Sequence, residues 1–374
     1  MRRRLLPGLL CLLLAFSLTL PTRGAADQTD PVLAKSYLDQ VAAAELKASV
    51  NDAAIRAMNA VYGKKLLALT EAVGDHRLQL AQKDTGNRAA AGQTLLLKQG
   101  DQLTLLPGAQ LLLLSGAAKT DCADLVNITA GEQVARDSTL AAQTLYMKND
   151  APKGGVVITS ETAEVWLNGV YALAASAQTD YGALATALQT MGLFQGTGSS
   201  FSLEHTSTRA QGLVMFLRIM GLEEEALAYT GTHPFTDVPQ SHWAYRYIAY
   251  AYDAGLTNGS SAYQMVFSPE APITAQHYLT MLMRALHYTE GTDFSYSTVL
   301  TDCVTKELFS KAEIDTLASG AFHRARLVYL SYYGLYGIDQ TTGRTLIQNL
   351  IADYTVPLES FDQAVCKIIG SRIR

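Results

Sequence analysis

The chain has 374 residues, 48% of them hydrophobic and 17% charged, which marks a globular protein long enough for two or three domains and excludes a disordered chain. Its 29 basic residues face 34 acidic ones, a formal charge of −5. That balance argues against nucleic acid as a partner, because such binding rests on phosphate-neutralising Lys and Arg.

The chain opens with Arg2, Arg3 and Arg4, an apolar run from Leu9 to Leu20, Pro21, and then Gly24-Ala25-Ala26 before Asp27. A basic stub, an apolar core and a small-residue exit form the pattern of a secretory signal peptide, residues 1–26, with cleavage near Ala26. The run falls short of the roughly 18–20 residues of a membrane span, so no span is expected after cleavage. Cys11 sits inside the apolar run rather than after a lipobox. Cleavage removes four of the 29 basic residues and no acids, leaving 25 against 34, or −9. Attachment to an anionic polymer would then depend on local basic residues. Cys122, Cys303 and Cys366 remain, far apart and without a CxxC or Cys/His cluster, so neither a metal nor another cofactor is expected.

Residues 27–75 read as a helical segment rich in Ala, Leu, Lys and Glu. Asp30 and Pro31 supply an N-cap and a first helical position. Ile55, Met58, Tyr62 and Leu69 share one helical face, and Gly63 and Gly74 limit length or stiffness. One long helix and an αα-hairpin both fit.

Residues 90–172 change grammar. Short apolar runs, Gln93–Leu97, Gln102–Leu106, Ala109–Leu114, Thr144–Met147, Gly155–Thr159 and Glu164–Leu167, stop at Gly, Pro, Asp or Asn turns. This predicts a small all-β domain, a sandwich or short roll, with Asn168-Gly169 suited to a tight hairpin turn. Its acids, Asp101, Asp121, Asp124, Glu132, Glu161 and Glu164, form no recognisable catalytic frame, so the chain is not expected to be an enzyme.

From residue 178 the chain is helical again and repeats itself, in three stretches of about 178–222, 235–288 and 296–352, followed by a tail at 356–374. The clearest copy begins Phe235-Thr236-Asp237-Val238-Pro239. It continues through Trp243-Ala244, Ile248, Gly255, Asn258-Gly259, Phe267-Ser268-Pro269 and Ile273-Thr274 into a second helix with Leu279, Leu282 and Leu286. Asp237 suits a helix cap, Gly255 a left-handed helix end, and Thr274 the cap of the second helix. A helix–loop–helix unit of this size cannot bury its own apolar face, and stacking copies solves that. The preceding copy keeps Gly192-Leu193-Phe194 and Thr208-Arg209-Ala210-Gln211 but lacks the Phe-x-Asp and the Trp. The following copy keeps Phe322-His323-Arg324-Ala325, and its first half departs strongly.

The order Phe235, Asp237, Val238, Trp243, Ala244, Ile248, Gly255, Gly259, Phe267, Pro269, Ile273, Thr274 resembles the S-layer homology (SLH) family. The resemblance covers residues 178–355. It implies an exported bacterial surface protein whose three units form a pseudo-threefold helical bundle. It also implies grooves that hold a secondary cell-wall polysaccharide, often pyruvylated, and leaves other surface proteins as possible partners. The family's Ile-Thr-Arg-Ala-Glu motif supplies an arginine at a helix start, where free N–H groups and the helix dipole favour an anion and the guanidinium grips a carboxylate. Carried over, the motif marks Arg209 with Thr208, and Arg324. Thr274 matches too, but Ala275 stands where the arginine belongs. Asp237 and Trp243 complete the candidate polysaccharide-binding set. The reading is a non-catalytic, non-covalent wall anchor. A scaffold or protein-interaction module without wall binding and an exported enzyme with the β domain as catalytic unit are the alternatives.

Overall fold

The computed structural model describes residues 43–84, 86–149, 154–196, 201–261, 265–370 and 372–373. The expected signal peptide, and residues 27–42 with their Asp30–Pro31 cap, lie outside them. Arg56–Arg374 cluster as one compact unit, separate from the chain up to Ile55.

One helix, α1 (Ala43–Lys83), takes the place of the expected helical segment and runs past both internal glycines. From Arg56 onward one of its faces lies on the C-terminal helices. The glycines are contact points rather than breaks: a Cβ on Gly63 would strike Thr345 Cγ2, and one on Gly74 would strike the Gly370 carbonyl. Leu66 and Leu67 join the helical core there, Leu78 is buried, and Thr70 accepts a hydrogen bond from the Tyr336 hydroxyl at 3.2 Å.

Nine strands follow: β1 (Asn87–Lys98), β2 (Gln102–Leu105), β3 (Gln110–Ser115), β4 (Ala118–Thr120), β5 (Leu125–Asn127), β6 (Glu132–Val134), β7 (Leu145–Lys148), β8 (Gly155–Ile158) and β9 (Thr162–Ala174). All pair antiparallel. β9 is the spine, with β1 along its length and both β2 and β3 as further partners. From there the sheet divides into wings β2–β8–β4 and β3–β7–β5–β6. A bridge between Lys119 and Thr139, with Leu140 N–H donating to Ala118 O at 2.9 Å, nearly closes it. Alternate residues of β2, β3 and β9, including Leu103, Leu105, Leu111, Leu113, Val165 and Leu167, fill the core, as period-two strands require. The expected Asn168-Gly169 turn does not form. β9 runs straight through both residues, and Gly169, at φ +111°, is where the Ala109 backbone passes too close for a Cβ.

The remainder is helical: α2 (Tyr181–Thr190), α3 (Arg209–Ile219), α4 (Glu223–Ala228), α5 (Tyr245–Asp253), α6 (Ala275–Ala285), α7 (Val299–Thr305), α8 (Lys311–Ala318), α9 (Arg324–Gly334), α10 (Leu346–Ala352) and α11 (Leu358–Val365). One hydrophobic core spans them from Tyr181 to Ile368. Residues 356–374 are therefore not a tail. Phe361, Ala364 and Ile368 are buried, and Arg372 pairs with Glu313 at 2.7 Å over the Tyr333 ring at 4.7 Å.

The β domain sits directly on this helical part. Arg326 clamps Glu161 at 2.7 Å, Glu204 accepts from Thr162 N–H at 2.9 Å, and Asp101 accepts from Ser176 N–H at 2.8 Å. Among the described residues no helix is long and apolar enough to cross a membrane. Cys122, Cys303 and Cys366 are free thiols, the first two buried.

Candidate polysaccharide groove

The starts of α3 and α9 share a scheme. The first two N–H groups of a helix have no partner within it. At α3, Thr208 caps the helix through a box with Gln211, Arg209 N–H donates to Ala271 O at 2.8 Å, and Ala210 N–H donates to Pro269 O at 3.0 Å. At α9, Arg324 N–H donates to His205 O at 2.9 Å, and Ala325 N–H to Leu203 O at 3.0 Å. Each helix start thus rests on the loop before another of these helices: α3 on the loop before α6, α9 on the loop before α3. Bridges Thr208–Pro272 and Thr206–His323 accompany the two contacts. At α6, Thr274 caps through His277 N–H at 3.2 Å, and Gln276 Nε2 reaches the Tyr296 carbonyl.

Arg209 lies at the edge of a small cavity lined by Asn258, Phe267, His277, Thr280, Arg284 and Tyr296 among others. Its side chain is 6% exposed, donates through Nε to Phe267 O at 2.8 Å, and stacks 4.9 Å from the Phe267 ring centre. Among the described residues no carboxylate lies in salt-bridge range of it. Burial lowers its pKa from the ordinary arginine value, opposed by Tyr296 and Asp237, and an arginine stays charged. Asp237 acts on it from beyond contact range, so the guanidinium has no direct ion pair among the described residues, and an anion in the cavity would supply one.

Arg284 shares the cavity, a convergence that sequence spacing along α6 did not reveal. It is neutralised by Glu290 at 2.6 Å and donates to Leu256 O at 3.0 Å. His277, half-buried and beside Arg209, has its pKa pulled down to about 4, so the imidazole is neutral at neutral pH. Its Nδ1 lies 2.9 Å from Thr274 Oγ1, so Thr274 orients it.

The remaining candidates sit elsewhere. Asp237 does not cap a helix. Its two oxygens accept the N–H groups of Phe267 and Ser268 at 2.8 and 2.7 Å, which fixes the loop whose carbonyl holds Arg209. Trp243 is 55% exposed, stacked on His242, and does not line the Arg209 cavity. Arg324 stacks 5.4 Å from the Phe194 ring, its Nη2 reaches Gln195 O at 3.4 Å, and its buried Nε has no partner. The structure therefore places Arg209 at a groove that Thr274 reaches through His277 and Asp237 supports through the Phe267 loop, and leaves Arg324 apart from it.

Residues 234–274 match the S-layer homology domain family. The chain carries an S-layer homology domain. It resembles an endoglucanase of Bacillus sp. strain KSM-635 (36% identical over 95 residues, 25% of this chain and 9% of that protein). It also resembles a cell surface protein of Thermoanaerobacter kivui (31% over 110 residues, 29% and 14%) and a cellulosome-anchoring protein of Acetivibrio thermocellus (29% over 100 residues, 26% and 22%). The chain thus spans less than a quarter of the length of each of these relatives. The SLH domain and the surface proteins among its relatives indicate an exported protein of the cell surface or cell wall.

Proposed function

We propose that this protein anchors itself non-covalently to an anionic secondary cell-wall polysaccharide through the groove around Arg209, holding its β domain at the surface without catalysis. The observation that carries this is Arg209 itself: a buried guanidinium, pre-oriented by Phe267, facing a cavity, with no carboxylate among the described residues in direct ion-pair contact. The cavity encloses about 60 Å³. That is room for a carboxylate and a few waters rather than a whole sugar ring, so a charged substituent such as a pyruvyl ketal enters while the ring stays outside. A neutral His277 and a neutralised Arg284 leave Arg209 as the determinant of charge selectivity. The two seatings, α3 on one loop and α9 on another, are two contacts of the cycle that a pseudo-threefold bundle requires, and they support that arrangement for the three units. Non-enzymatic character is supported by the β domain's carboxylates: Asp101 pairs with Lys98, Asp124 with Lys148 and Glu161 with Arg326. The test is co-sedimentation with purified walls. Wall binding that vanishes on chemical removal of the secondary polymer, and in Arg209→Ala, supports the reading; binding unchanged by both refutes it.

The alternative, an SLH-fold scaffold without wall binding, draws on Ala275 at the motif's arginine position and on the Glu161–Arg326 clamp beside Arg324. It predicts no co-sedimentation at all.

A further inference from the structure

The helix α1 is apolar on two opposite faces. One face, with Gly63, Leu67, Thr70, Gly74 and Leu78, lies against the rest of the molecule. On the other, Met58, Val61, Tyr62, Leu69 and Leu80 each expose between 54% and 71% of their surface. Large apolar side chains gathered on one exposed stripe of an otherwise packed helix mark a contact surface. Five large side chains this exposed amount to on the order of 500 Å² of apolar patch, the size at which such patches on monomers are functional.

The spacing identifies the cover. Met58, Tyr62 and Leu69, with Lys65, Ala72 and His76, follow one another at alternating intervals of four and three residues, the spacing of a coiled-coil seam. A seam of that period is filled by another helix of the same period, and a stripe on one chain meets its own twin in a two-fold pair. We propose that α1 of a second copy of this chain packs antiparallel on this stripe and makes the protein a dimer. Lys65 sets the direction. In a parallel pair it faces its own counterpart. In an antiparallel pair with the axis between residues 63 and 64, each Lys65 meets the other copy's Tyr62, a cation over an aromatic face, and Met58 meets Leu69. The contact buries roughly 1,000 Å² in total, the lower bound for a specific interface.

The experiment is sedimentation velocity on the chain from Asp27 onward across the micromolar range. The expected result is a concentration-dependent dimer. Leu69→Glu and Met58→Glu each weaken it about tenfold or more while the melting transition of the monomer stays in place. In a Cys366→Ser background, Met58→Cys alone does not crosslink to itself, whereas a mixture with Leu69→Cys gives a disulfide-linked pair. A monomer throughout overturns the proposal, as does a dimer indifferent to both glutamates. Self-crosslinking of Met58→Cys overturns the antiparallel pairing. A chain that dimerises only once residues 27–42 are removed shows that its own N-terminal segment is the cover, and overturns the proposal too.

Discussion

The starts of α3 and α9 use the same backbone device and put it to different ends. Both seat two free N–H groups on the loop before another helix and place an arginine over a phenylalanine ring: Arg209 over Phe267, Arg324 over Phe194. At α3 the motif's fifth position is Gln211, which closes a capping box with Thr208, and the arginine opens onto a cavity. At α9 that position is Arg326, which reaches into the β domain and grips Glu161. On the other side of that junction Glu204 holds Thr162. A repeat can therefore keep its fold through backbone bonds alone, while one side chain decides whether its groove faces a ligand or a neighbouring domain.

The largest test of this contrast is the loop beneath Arg209. Asp237→Ala removes a carboxylate that accepts two backbone N–H groups. Bonds to a charged acceptor contribute about 1.5–3 kcal/mol each, so the loss is about 3 kcal/mol or more, read from urea unfolding, with polymer binding lost alongside. The first repeat lacks a Phe-x-Asp, so the groove at Arg324 has no counterpart to break. Next is the arginine pair. Arg209→Ala is expected to weaken polymer binding about 30-fold, the share of one charge-assisted contact in a desolvated site, whereas Arg324→Ala changes it by about threefold or less. Calorimetric titration of both variants decides it; equal losses would erase the distinction between the grooves. Smaller is the domain clamp. A double-mutant cycle on Glu161→Ala and Arg326→Ala should show a coupling of about 1–2 kcal/mol, as for a half-buried bidentate pair, with polymer affinity unchanged.

What the sequence made legible follows from range. Helix caps are local, so Thr208 with Gln211 and Thr274 with His277 are found where Thr precedes a helical pattern. Strand positions 102–105 and 110–115 are likewise visible from their turns. Features that need a long-range partner were not visible. Arg284 enters the Arg209 groove only because α6 folds back beneath Leu256. Arg326 meets a carboxylate 165 positions away, and Arg372 becomes structural through Glu313, 59 positions away. Glycines are read poorly for the same reason: Gly63 and Gly74 read as limits on the helix's length or stiffness and Gly169 as part of a turn, whereas each lies where another part of the chain passes too close for a Cβ.

The smallest effect separates the grooves by charge. His277 faces Arg209 and is partly buried, which together hold its pKa at about 4, below the ordinary histidine value near 6.5. The unfolded chain thus binds a proton at His277 before the folded one does. The stability this neutral imidazole contributes is complete above about pH 6.5 and is lost as pH falls toward 4. His277→Gln keeps a polar group beside Thr274 but cannot titrate. Unfolding free energies of the two proteins should run parallel from pH 8 to 6.5 and converge below it, with the wild type falling faster. Polymer binding by the wild type should stay flat over pH 7 to 5, because no group in the Arg209 groove changes charge there. A binding curve that rises as pH drops through 6.5 would mean that His277 gains a proton when ligand enters, and would make it a second cation of the groove rather than a neutral wall.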